Sequence, residues 1–168
     1  MKKILSILFV TTLLLISCQG DQGPPGFDGS NGIDGGIIVS NAFEIQVNFN
    51  QANNYEIIEP YGFEVNPFDV TLVYMLWETL NGQDIWRLIP QSIEFPDGTL
   101  IYNFDFTQDD VRLFLDGTTD FGLLDPVWTD NQIFRVVVVP ADNVSGLDVS
   151  NINTVMKANH IDSFKKKF

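Results

Sequence analysis

Gly20, Gly23, Gly26, Gly29, Gly32 and Gly35 put glycine at every third position without a break. At a background glycine frequency near 7%, five further hits in phase with a given first one arise by chance about once in a million. Strands repeat every two residues and helices every 3.6 or so, and neither explains a period of three. A polyproline-II chain does, with about three residues per turn. When three such chains wind together, every third residue meets the crowded axis, where only hydrogen fits. The segment therefore reads as extended backbone outside any packed core, and it separates a short N-terminal stretch from a longer C-terminal one.

Ahead of it, Met1-Lys2-Lys3 is positive, and residues 4–16 form a 13-residue apolar run broken only by Ser6, Thr11 and Thr12. A helix crossing the hydrocarbon core needs roughly 20 apolar residues, so this run is too short to span a membrane and fits a secretory leader. It closes on Leu15-Ile16-Ser17-Cys18, which resembles the lipobox of bacterial lipoproteins. The resemblance implies that residues 1–17 are a lipoprotein signal peptide. Cys18 then becomes the mature N-terminus, carrying a diacylglyceryl thioether and an N-acyl chain. Cys18 is the only cysteine, so no internal disulfide can form. Several acyl chains exceed the two signals needed for stable anchoring, which makes the membrane itself a partner. In some members of that family an Asp after the cysteine marks inner-membrane retention. Gln19 stands here instead, which implies the outer membrane, with the periplasmic face and the cell surface both open.

The triplets, with Gly23-Pro24-Pro25 among them, resemble the short collagen-like segments of bacterial surface proteins. Two readings of residues 18–36 stay open: a spacer, or a triple helix that would make a homotrimer. Imino acids fill only one triplet. Asp21, Asp28 and Asp34 face no Lys or Arg in the segment, so a trimer would line nine negative charges along one thin rod. The balance favours a spacer, which reaches about 50 Å over 16 residues in polyproline II.

The remainder, residues 37–168, reads as one globular domain. The apolar fraction is 45% with 14 Phe and 3 Trp, enough for a core. After Cys18 there are seven basic against 22 acidic residues, a net of −15. That field repels nucleic acid and anionic headgroups, making both poor partners.

Past Gly36 the period becomes two. Ile37, Val39, Phe43, Ile45, Val47 and Phe49 share one parity while Glu44, Gln46 and Asn48 hold the other, as in a half-buried strand. Residues 55–59 form a short strand ended by Pro60. Residues 70–78 are apolar on both faces and predict a central strand. Asn81-Gly82 predicts a hairpin with a return over 85–89. After the Pro96-Asp97-Gly98 turn, Leu100, Tyr102, Phe104 and Phe106 alternate cleanly. Residues 111–115 fit either a strand or a short helix. Residues 116–131 read as a long irregular loop, residues 134–139 as a β-branched strand stopped by Pro140. Ser150 can cap a short helix with Ile152, Val155 and Met156 on one face. Lys165-Lys166-Lys167 reads as a solvated tail. The sum is an all-β, β-sandwich-like domain of seven or eight short strands with one C-terminal helix. Phe43, Ile45, Val47, Leu72, Tyr74, Phe104, Phe106, Val136 and Val138 are expected to share its core.

Chemistry is sparse. His160 has no partner motif, and no serine elbow, HExxH or Cys/His pair exists. The expectation is a protein that is not an enzyme, without catalytic residues, cofactor or metal. Asp105, Asp109, Asp110, Asp116, Asp120, Asp125 and Asp130 make the densest acidic stretch without the spacing of a calcium loop. Trp77, Trp86 and Trp128 offer either core rings or a sugar-stacking platform. The leading reading is a lipid-anchored envelope protein presenting a β-rich interaction domain to another envelope protein, as an accessory subunit of an outer-membrane assembly. The alternative is a carbohydrate- or Ca²⁺-binding surface module.

A soluble fragment beginning at Gln19 should sediment as a monomer, be cut by proteases between Gly20 and Gly36, and be unchanged by Gly29→Ala. A trimer at low salt that Gly29→Ala dissociates would replace the spacer with a triple helix.

Overall fold

The computed structural model describes residues 41–168. The expected leader, residues 1–17, and the expected anchor residue Cys18 lie outside these residues. So do the six glycines of the triplet segment, Gly20, Gly23, Gly26, Gly29, Gly32 and Gly35, and Ile37 and Val39 at the start of the first alternating run.

From Ala42 the alternation becomes structure. In β1 (Ala42–Val47) the side chains of Phe43, Ile45 and Val47 are buried on one face, and Phe49 continues that face past the strand end. Seven more strands come next: β2 (Glu56–Pro60), β3 (Asp69–Leu80), β4 (Gln83–Leu88), β5 (Gln91–Phe95), β6 (Gly98–Phe106), β7 (Asp110–Gly117) and β8 (Gln132–Pro140). Among the described residues one α-helix, α1 (Ile152–Ala158), precedes a last strand, β9 (Lys165–Lys167). Two sheets result, one ordered β4-β3-β8-β1-β9 and the other β2-β7-β6-β5. Every strand pairing is antiparallel except that of β1 with β9. Residues 41–168 are thus mostly β, in two sheets with one short helix.

One core draws on both sheets: Phe43, Ile45, Val73, Met75, Phe134, Val136 and Val138 from the first, Leu100, Tyr102, Val111, Leu113 and Leu115 from the second. A second core lies on the far face of the first sheet. There Tyr74, Val137 and Val139 meet Ile152 and Val155 of α1, and Ile161 beyond it. The α1 residues lie at the i, i+3 spacing expected of one helix face. Asn151, not Ser150, caps the helix, its side chain accepting from the Asn153 and Thr154 amides, while Ser150 binds Asp148.

Several sequence expectations change. Leu72 and Tyr74 face α1, and it is Val73 and Met75 that enter the core between the sheets. Residues 70–77 are apolar at both parities, so the sequence pattern cannot say which parity faces which layer. Phe104 is half-buried, and Phe106 is 46% exposed where β6 runs beyond the core, stacked on Phe104. Residues 111–115 are strand rather than helix. Nine strands are present among the described residues; β5 and β9 are the two the sequence did not separate.

The lysine run is the clearest correction. Lys165–Lys167 pairs in parallel with Phe43–Ile45. The Lys167 ammonium donates to Glu59 Oε1 (2.8 Å), Pro60 O (2.6 Å) and Tyr61 O (3.1 Å), and lies 4.1 Å from the Phe43 ring centroid. It therefore joins the edge of the first sheet to the end of β2 in the second. Lys166 reaches toward Glu44, which also accepts from Arg135 Nε at 3.0 Å.

Lys167→Met should lower stability by about 1.5–3 kcal/mol, the range for hydrogen bonds to a charged group, because it strips donors from three acceptors. Lys165→Ala, at an exposed position, should change it by less than about 0.5 kcal/mol. Urea melts that place the two variants together would remove the clasp.

Candidate functional site

Strand directions define two ends of the domain. β1 begins beside Asn41, where the described chain enters, and runs to Val47 opposite Gln132 of β8. At that far end lie the Asn81-Gly82 hairpin, the Asp97 turn and residues 118–131, which connect β7 to β8.

This connection is built, not loose. Its first residues are fixed by a close approach of backbones. Gly117 has φ +127°, and a Cβ there would sit 1.9 Å from the Thr99 carbonyl oxygen, so only glycine fits. Thr118 N then donates to Thr99 O at 2.8 Å. Two short 3₁₀ turns follow, Phe121–Leu123 and Pro126–Trp128, each started by an aspartate: Asp120 accepts from Gly122 N and Asp125 from Val127 N, both at 2.9 Å. A proline after Asp125 presets φ for the second turn.

The core holds the loop from below. The Tyr102 hydroxyl, on the inner face of β6, donates to Trp128 O at 2.6 Å. The Gln132 side-chain amide donates to Val127 O (2.9 Å) and Asp130 O (2.8 Å), and Phe49 N donates to Thr129 O (2.8 Å). Trp128 meets Phe95 edge-on at 5.5 Å, and Phe121 meets Tyr55 at 5.3 Å. On this fixed backbone Leu123 is 82% exposed and Val127 67% exposed. Leu80, in the hairpin at the same end, is 55% exposed. Large apolar side chains held outward on an ordered loop are the arrangement expected of a protein-contact surface.

The other residues singled out by sequence have different fates. The acidic stretch does not converge: Asp105 pairs with Arg112, Asp110 accepts from Thr107, and Asp120 and Asp125 cap turns. Among the described residues no three acidic or histidine side chains gather where one cation would sit. His160 is exposed, in left-handed backbone at φ 52° just past α1. The three tryptophans form no common platform. Trp77 and Trp128 pack against the core between the sheets; Trp86 packs against the core under α1, with the Arg135 guanidinium 3.9 Å from its ring centroid. Trp86 borders a recess of about 730 Å³.

Three buried phenols act as hooks: Tyr102 to Trp128 O, Tyr74 to Val149 O at 2.6 Å, and Tyr61 to the Thr71 hydroxyl at 2.7 Å. Burial pushes Tyr102 and Tyr74 well above the usual tyrosine range, with the Asp148 carboxylate adding to the effect on Tyr74. Burial also raises Tyr61, outweighing the hydrogen bond from Thr71.

A raised folded-state pKa means that the folded protein keeps its phenolic protons where the unfolded chain releases them. Stability from these groups is full below about pH 10 and falls as pH rises above it. Tyrosinate absorbance from the three should appear only together with loss of the fold. Tyr102→Phe should cost about 1–3 kcal/mol by leaving the Trp128 carbonyl without its donor. Three phenols titrating near pH 10 in a protein that stays folded would contradict this.

Comparison with protein-family models, with curated proteins and with solved structures finds no match to this chain.

Proposed function

We propose that this chain is a non-enzymatic cell-envelope lipoprotein, held in the outer membrane through Cys18, that presents a β-sandwich-like interaction domain on a collagen-like spacer. Its partner is another envelope protein, which it serves as an accessory subunit of an outer-membrane assembly. The anchor rests on the sequence Leu15-Ile16-Ser17-Cys18 behind a short apolar run. The spacer rests on the unbroken glycine period from Gly20 through Gly26 and Gly32 to Gly35. The sandwich reading is supported by the single core to which both sheets contribute.

The observation that carries the presenting role is the order of the loop at residues 118–131, which holds Leu123 and Val127 outward on a backbone fixed by Tyr102, Gln132 and Phe49. A preformed apolar contact surface on an ordered loop suits a domain that presents that surface to a partner. Preorganisation lowers the ordering cost of such a contact.

Cys18→Ala removes every acyl chain and leaves the folded domain untouched. The variant should leave the membrane fraction, while the parent chain stays there through a high-salt wash. Membrane association of Cys18→Ala that survives the same wash would overturn the lipid anchor.

A further inference from the structure

We propose that the recess beside Trp86 is a binding site for a neutral saccharide, separate from the loop at residues 118–131. The recess measures about 730 Å³ and opens between β4 and the segment that leads into α1, within the usual range for small-ligand pockets.

A pyranose offers a C–H face and a rim of hydroxyls that both donate and accept. The recess has counterparts for each. Trp86 supplies aromatic area, and its ring is held by Arg135, whose guanidinium lies 3.9 Å from the Trp86 centroid and 4.5 Å from that of Phe164. Arg135 takes one face of the indole, and Trp86, only partly buried, still lines the recess beside it. Nε of Arg135 is committed to Glu44, and among the described residues no acceptor meets its terminal nitrogens. Asp148 takes both bonds from Ser150 on Oδ1, and Asp84 takes the Thr79 hydroxyl on Oδ1. Asn151 uses its oxygen on the amides of Asn153 and Thr154. Asp84, Asp148, Asn151 and Asn153 line the recess, and the second oxygens of both aspartates, the Asn151 amide nitrogen and the Asn153 side chain keep hydrogen-bonding capacity unspent among the described residues.

Charge selects within that chemistry. Two carboxylates border the recess, and its one guanidinium is already paired with Glu44, so acidic sugars are disfavoured. A hard cation would gain nothing from the indole and would be repelled by Arg135. A neutral sugar meets donors and acceptors alternately and needs no net charge.

The full chain is titrated with maltohexaose, cellohexaose, laminarihexaose and chitohexaose, followed by the indole N–H resonance of Trp86 and the side-chain amide of Asn153. At least one oligosaccharide should shift both signals saturably. Asn153→Ala and Asp148→Asn should each weaken that binding about tenfold, the effect of one lost hydrogen bond of this strength, with unchanged melting. No saturable shift with any of the four would overturn the site. So would binding that both variants leave intact, or the same shifts produced by calcium chloride alone. None of these outcomes depends on the anchor or on the contact loop.

Discussion

The structure depends on a strand buried from both sides. In β8, Val136 and Val138 face the core between the sheets while Val137 and Val139 face α1, and all four are at most 4% exposed. Full burial of such a side chain contributes about 1.5–3 kcal/mol relative to leaving it in water. That gain requires an apolar layer on each side. The second sheet supplies one layer, and α1 with the chain beyond it supplies the other. The C-terminal segment is therefore structural: without it Tyr74, Val137 and Val139 would lie open to solvent. β9 and the Lys167 contacts hold the end of that segment against β1 and β2.

Charge is divided by the same geometry. Residues 41–168 hold seven basic side chains, and five have fixed tasks. Arg87 lies 4.0 Å from the Trp77 centroid, Arg112 bridges Glu56 and Asp105, Arg135 and Lys166 meet at Glu44, and Lys167 holds Glu59. The bridges on Arg112 are solvent-exposed and contribute little, whereas Glu44 is buried and needs its cations. Many aspartates serve their own backbone: Asp120 and Asp125 begin 3₁₀ turns and Asp148 accepts from Ser150. The acidic stretch from 105 to 130 is thus turn chemistry more than a collected charge. The surplus stays at the surface.

How much of this was legible in the sequence depended on whether the signal was local. The inward parity of Phe43, Ile45 and Val47 was, because polar residues alternate with them. The α1 face was, through Ile152 and Val155. The two-sheet, mostly β plan followed from strand and turn spacing. The parity of β3 was not legible, since Leu72, Val73, Tyr74 and Met75 are all apolar and only the helix near the C-terminus makes the outward pair useful. β9 was hidden because three lysines carry no strand preference; contacts with Glu59 and the Pro60 and Tyr61 carbonyls, over 100 residues earlier, put them there. The contact loop was hidden for the same reason. Its Gly, Thr and Asp content reads as irregular, and its order comes from Tyr102, 26 residues before Trp128, and from Phe49 beneath Thr129.

The proposed presenting role rests on that order. An exposed Leu123 on a flexible loop would be an ordinary surface residue; on a rigid loop it is a preformed contact. Nitrogen-15 relaxation of the free protein separates the two on the picosecond-to-nanosecond scale. Order parameters of about 0.85 are expected for Gly122, Leu123 and Val127, equal to those of a rigid backbone such as β8. Values below about 0.6 across residues 118–131, with β8 rigid in the same sample, would contradict a preformed contact surface.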